Sequence, residues 1–250
     1  MPLSGLFFLK PGANAAGSAK TSDILLPARV PASVGRFVYK NRQVTFEPAP
    51  GAGVTMKGQP VTSPVVLASD EKSGPDELTL GNLTLWVHVS GLRDAIRVSD
   101  PQSRAATSFS GFRWFPIDGR YRVVGKFVKD QAPRDVRVPN LLGDDEIYTT
   151  EGVVEFTLNG QALRMRPMTT RPGRLYFTFR DASSGHETYA AARFLYADLK
   201  ADGTAVLDFN QAYNPPCAFN EFTTCPLPLP ENRLTVKILA GERAYAGPHK

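Results

Sequence analysis

The chain has 250 residues, 42% of them hydrophobic and 21% charged, and a net charge of +5. That length holds one large or two small hydrophobic cores, and the composition excludes a chain disordered over most of its length. The basic residues are dispersed, as from Arg93 to Arg137, with no module that reads bases, which sets nucleic acid aside as a partner.

At the start, "MPLSGLFFLKPGANAAG" has a short apolar run with no positive region before it, unlike a secretory signal. A native leader lost by truncation is expected. No apolar stretch approaches the roughly eighteen residues of a membrane-spanning helix.

Strand signals dominate the rest of the chain. "RFVYKNRQVTFEP" reads as two β-rich runs around Asn41 and Arg42, and "LTLGNLTLWVHV" turns at Gly81 and Asn82. "YRVVGKFV", "VVEFTLNGQALRM", "RLYFTFRD" and "AVLDF" continue the pattern, and Asn159-Gly160 suits a type I′ hairpin turn. Helical periodicity is scarce, and 21 prolines and 21 glycines punctuate the gaps. The expected fold is mostly β, with a sandwich over residues 1–100 and a larger β-sandwich or barrel-like domain over 101–250, on which the first is packed. Trp86, Phe112, Trp114 and Phe115 are expected in cores.

Within the first block, "GSAKTSDILLPARVPASVGRFVYKNRQVTFEP", "VTMKGQPV" and "LTLGNLTLWV" resemble a forkhead-associated sandwich. The resemblance implies a phosphothreonine-reading fold. The reading residues of that family are missing: Ser18 stands where an arginine belongs, "PASVG" lacks the required histidine, and Lys57 replaces the asparagine before Gly58. A degenerate module with a protein partner, rather than phosphopeptide recognition, is what the resemblance leaves.

Nearly the whole chain is also similar to a bacterial and archaeal family of unknown function. The matching segments are "GLFFLKPGAN", "FSGFRWFPIDGRYRVVGKF", "FRDASSGHETYAAARFLYADL" and "DFNQAYNPPCAFNEFTTCPLPLPENRL". That resemblance implies no activity, and it favours export.

The last segment contains both cysteines of the chain. Strand alternation, carried past "AVLDF", puts Asp208 and Asn210 on one side, with Tyr213 and Asn214 following. Short Asp and Asn side chains at a strand end also cap turns. In "RDASSGHETYAAARFLY" a return strand would give Tyr189 and Arg193 a common face, a pocket floor for an anionic or carbonyl-bearing ligand. Arg193 paired with Asp181 or Asp208 is the structural alternative. Asp181, Asp208 and Glu231 are the carboxylates available for acid/base work. Cys217 and Cys225 read as a disulfide, as a catalytic thiol served by His186, or as two inert thiols. No metal-ligand spacing, dinucleotide fingerprint, phosphate loop or serine-nucleophile elbow occurs, so neither metal nor cofactor is expected. The leading functional expectation is a small-molecule or glycan-type site where residues 181–193 meet 208–232, with acid/base catalysis by those carboxylates as its extension. A structural or protein-interaction module, and a thiol enzyme, are the alternatives.

Overall fold

The structure is a computed structural model describing residues 2–72 and 74–247. Among the described residues it is mostly β, with several packed sheets and no closed barrel. Two compact units divide between Ser108 and Phe109.

In chain order the first unit holds β1 (Leu3–Phe8), β2 (Gly12–Gly17), β3 (Ile24–Leu25), β4 (Gly35–Lys40), β5 (Gln43–Pro48), β6 (Thr55–Met56), β7 (Gln59–Pro60), β8 (Val65–Leu67), β9 (Leu78–Leu80), β10 (Leu83–Ser90) and β11 (Arg93–Ser99). They form a six-stranded sheet, β1-β11-β10-β9-β6-β7, and a five-stranded sheet, β3-β2-β4-β5-β8. Alternate residues of each point inward: Phe37, Val44 and Phe46 from one sheet join Leu83, Leu85, Val87, Ile96 and Val98 from the other in one core. The β4–β5 turn is built on Asn41 and Arg42, both at positive φ, as a two-residue hairpin turn requires. Asp70 organises a polar cluster in this unit. It accepts from the Val89 N–H at 3.0 Å and the Trp86 indole at 3.3 Å, and lies 2.7 Å from His88 Nδ1. Arg97 can only donate, and it sits 2.9 Å from His88 Nε2, so the ring proton is on Nδ1 and points at Asp70. Trp86 is thereby partly a hydrogen-bonding residue and not simply core.

The second unit is arranged on one sheet. Its strands are β12 (Arg122–Pro139), β13 (Asp145–Leu158), β14 (Gln161–Met165), β15 (Met168–Arg171), β16 (Arg174–Phe179), β17 (Arg193–Asp198) and β18 (Thr204–Asp208), in the order β17-β16-β15-β13-β12-β18 with β14 paired to β13. The β13–β14 turn uses Asn159 (φ 52°) and Gly160 (φ 78°). The long β12–β13 hairpin changes register between Lys129 and Arg134, opposite Gly152. A Cβ on Gly152 would lie 2.2 Å from the Val128 carbonyl, so only glycine fits that kink.

Apolar clusters cover one face of this sheet and part of the other. On one, Phe156, Leu175, Phe177, Phe179, Leu195 and Leu207 meet Leu234, Val236, Ile238 and Ala240 of an extended C-terminal strap, each buried aromatic or leucine contributing about 1.5–3 kcal/mol. Alternation then sends Tyr176, Phe194 and Tyr196 to the opposite face, where Met168, Val138, Cys225 and Leu229 pack. Phe112 and Trp114, expected in a core, are instead 59% and 48% exposed: they belong to the irregular lead-in to β12, where no strand alternation turns them inward.

Candidate functional site

The segment after β18 is held residue by residue. Asp208 Oδ1 accepts from the Asn210 N–H at 3.1 Å and its Nδ2 at 3.0 Å, starting a 3₁₀ turn over Phe209–Gln211. The strand does not continue, so Asp208 and Asn210 meet as cap and capped group rather than as neighbours on a strand face. Asn210 in turn clamps the Asp118 peptide, accepting its N–H at 3.0 Å and donating to its carbonyl at 2.9 Å. Tyr213 exchanges both backbone hydrogen bonds with Phe194. Asn214 donates its N–H to Glu242 Oε2 at 2.8 Å and its Nδ2 to the Arg243 carbonyl at 2.7 Å. Glu242, overlooked in the sequence, is buried, and burial raises its pKa.

The carboxylates singled out in the sequence do not converge. Asp181 accepts from the Ile238 N–H at 2.7 Å, the Ser183 N–H at 3.1 Å and Arg193 Nη2 at 3.1 Å. Arg193 also donates to the Ala240 and Ile238 carbonyls and lies over the Phe179 ring. Burial lowers the Arg193 pKa, and the facing Asp181 opposes that. Both side chains are fully enclosed, so this pair fastens the C-terminal strap to the sheet. Glu231 sits elsewhere, on Arg166, which also holds Asp130 and the Gly152 carbonyl. Beside it Asn232 accepts from the Arg166 N–H at 2.7 Å and donates to the Arg166 and Thr178 carbonyls, each at 2.9 Å.

Tyr189 and Arg193 share no face. The stretch between β16 and β17 is a series of bends: the Ser183 carbonyl gathers the N–H groups of His186, Glu187 and Thr188, and regular strand resumes only at Arg193. Tyr189 is half-buried, and its hydroxyl donates to the Cys217 carbonyl at 3.2 Å. Burial is the first reason its pKa rises.

What the structure does bring together is a tyrosine-lined face. Tyr176 and Tyr196 are cross-strand partners with rings 4.9 Å apart. Tyr213, from the loop, stacks on Tyr196 at 6.5 Å and meets Phe194 edge-on at 5.7 Å. Tyr148 pairs with Val136 at the hairpin tip and donates to Glu146 at 2.6 Å. Tyr148, Tyr196 and Tyr213 are only partly buried, and burial pushes the Tyr213 phenol up to about 12. The Arg174 guanidinium lies 4.4 Å over the Tyr196 ring, while its Nε is buried without a hydrogen-bond partner. Of these only Tyr213 was singled out in the sequence. The available signal was that "RLYFTF" and "RFLYAD" are apolar on both strand faces, one of them carrying the phenols.

The Pro/Cys loop walls this face. The Leu141 N–H donates to the Cys225 carbonyl at 3.1 Å and the Leu227 N–H to the Pro139 carbonyl at 2.8 Å, docking the loop on the hairpin tip. The expected disulfide is absent: both cysteines are free, their sulfurs 3.0 Å apart, well beyond the roughly 2.05 Å of a disulfide bond. His186 is exposed, and no described hydrogen bond joins it to either sulfur.

A groove of about 1100 Å³ lies elsewhere, on the outer side of β12, β13, β14 and β18. Register sets Lys126 opposite Glu155 and Glu155 opposite Arg164, so opposite charges alternate along it and no one ligand charge is favoured. Among the described residues no group of three or more His, Cys, Asp or Glu is placed to hold a metal ion, and no helix is long and apolar enough to cross a membrane.

Residues 107–243, more than half of the chain, match a family described as "Protein of unknown function (DUF1684)". The chain belongs to the DUF1684 family. The family match takes in the tyrosine-lined sheet, the Pro/Cys loop and most of the C-terminal strap. An uncharacterized protein of Haloarcula marismortui, solved by solution NMR, is similar at 28% identity, covering 54% of this chain and 77% of that one, with a TM-score of 0.46. No curated protein matches.

Proposed function

We propose that the second unit is a binding module that holds a small molecule against its tyrosine-lined face. The observation that carries this reading is Arg174: a guanidinium stacked on Tyr196 with a buried Nε lacking an acceptor. A buried donor left unpaired costs about 1–3 kcal/mol, and a ligand oxygen placed there would recover it while its ring or sugar face covers Tyr196 and Tyr213. The ligand class is a flat or glycan-type ring bearing a carboxylate or carbonyl. Acid/base catalysis is not part of the reading, because Asp181, Asp208 and Glu231 are each committed to an ion pair or a cap. The test is a set of aromatic carboxylates, benzoate and 4-hydroxybenzoate among them, and uronic acids, screened by saturation-transfer NMR against the wild type and Arg174→Met. Binding that weakens at least tenfold in the variant supports the reading; equal binding, or none across the set, removes it.

A second reading concerns the first unit. Six- and five-stranded sheets around one core favour a degenerate forkhead-associated-like sandwich that docks a protein without reading phosphothreonine. It predicts that phosphothreonine peptides bind the full chain no better than their unphosphorylated forms.

A further inference from the structure

Cys217 and Cys225 lie side by side in a loop that needs no bridge to be held. Pro215, Pro216 and Pro226 stiffen it, and hydrogen bonds to the hairpin tip and to Tyr189 fix both cysteine carbonyls. The two sulfurs also differ. The Cys217 N–H donates to Cys225 Sγ at 3.3 Å, and the Cys225 thiol donates to Thr223 Oγ1 at 3.7 Å. Cys225 is buried, whereas Cys217 is half-buried. In such a pair the Cys217 thiol donates to Cys225, lowering the Cys225 pKa, and the same contact raises that of Cys217. The backbone N–H on Cys225 Sγ favours a thiolate there, and Cys217, its sulfur 3.0 Å away, is placed to resolve what forms on it.

We infer that Cys217 and Cys225 form a peroxide-reactive dithiol, with Cys225 as the attacking sulfur and Cys217 as the resolving one. The Cys225 thiolate attacks one oxygen of hydrogen peroxide; the O–O bond breaks, Cys225 becomes a sulfenic acid, and the departing hydroxide takes up a proton as water. The Cys217 sulfur then attacks Cys225 Sγ, the S–O bond breaks, and the leaving hydroxide takes the Cys217 proton. Two thiols and one peroxide give one disulfide and two waters. A buried attacking sulfur suits a small neutral oxidant and disfavours a bulky disulfide such as oxidised glutathione. Closing the bond needs the sulfurs to move together by about 1 Å, within a loop already anchored at both ends.

The experiment is intact mass spectrometry of the reduced full chain after hydrogen peroxide, with iodoacetamide trapping at successive times. The expected product is 2 Da lighter, has lost both alkylatable thiols, and is restored by tris(2-carboxyethyl)phosphine; oxidised glutathione at equal concentration reacts at least tenfold more slowly. Cys217→Ser should stop at a dimedone-reactive sulfenic acid on Cys225, and Cys225→Ser should react at least tenfold more slowly than the wild type. The inference is overturned if the wild type gains oxygen without losing 2 Da, keeps both thiols, or reacts as fast with oxidised glutathione. The wild-type readings decide this even where a serine variant fails to fold. None depends on whether Arg174 binds a ligand.

Discussion

Replacing Arg193 with alanine tests whether the polar residues nearest the Pro/Cys segment build a fold or a site. The residue is 1% exposed, and its side chain donates to Asp181, Ala240 and Ile238. Its removal strands a buried carboxylate that keeps the Ser183 and Ile238 N–H groups and the Ser184 hydroxyl as donors, and it orphans contacts to carbonyls of the C-terminal strap. Breaking a buried pair from one side costs about 3–5 kcal/mol, and each carbonyl left unpaired adds about 1–3 kcal/mol before relaxation. Shared relaxation makes these non-additive, so a loss of about 5 kcal/mol is expected, comparable to the whole stability of a marginal domain at about 5–15 kcal/mol. The assay is urea denaturation with hydrogen exchange read at β16 and β17, so that the second unit is followed by itself. Asp181→Ala should cost a similar amount, and the double variant much less than the sum, with a coupling of at least about 2 kcal/mol. A cost for Arg193→Ala below about 1 kcal/mol, or strictly additive single costs, would refute the assignment of this pair to strap-fastening.

Other consequences are equally direct. Asn232→Ala removes hydrogen bonds to the Arg166 N–H and to the Arg166 and Thr178 carbonyls and should cost about 3 kcal/mol; urea melts of the variant that match wild type would contradict it. Glu242 has a raised folded pKa, so the native state holds its proton more tightly than the unfolded chain. Its stabilising contribution is full below the unfolded value of about 4.3 and is lost as pH rises through the raised folded value. Glu242→Gln should flatten that segment of a stability-versus-pH curve and leave the rest unchanged. Asp70 behaves oppositely: burial opposes its ionisation, but His88 and the Val89 and Trp86 N–H groups hold its pKa below the ordinary value. Its contribution is present above about 3.9 and lost as pH falls through the lowered folded value. Acid titration of Asp70→Asn, read at first-unit amides, should lack that step.

What could be read from the sequence was what is local. Asn159-Gly160 and Asn41-Arg42 announce tight hairpin turns because the backbone conformation a turn needs is a property of a few adjacent residues. The mostly β character came from alternation in the same way. The failures lie where a distant partner decides. "GHETYAAAR" has strand-like composition, but the Ser183 carbonyl captures three successive N–H groups and bends it, which separates Tyr189 from Arg193. Glu231 follows the Pro-rich loop, and spacing does not show whether it converges with Asp208; it is drawn to Arg166, 65 positions back in the chain, a pairing no spacing rule reports. The tyrosine-lined face needed the cross-strand register of Tyr176 and Tyr196 and the return of Tyr213 to Phe194, and only folding supplies that juxtaposition.

Whether the phenols gathered under the Pro/Cys loop form a ligand face is tested most directly on a ¹³C-tyrosine-labelled sample of the reduced full chain. It is titrated with 4-hydroxybenzoate and with the strongest binder from the carboxylate screen. Saturable shifts confined to Tyr148, Tyr176, Tyr196 and Tyr213, absent in Arg174→Met, are the predicted result. Shifts at other tyrosines, or none at millimolar ligand, would contradict it.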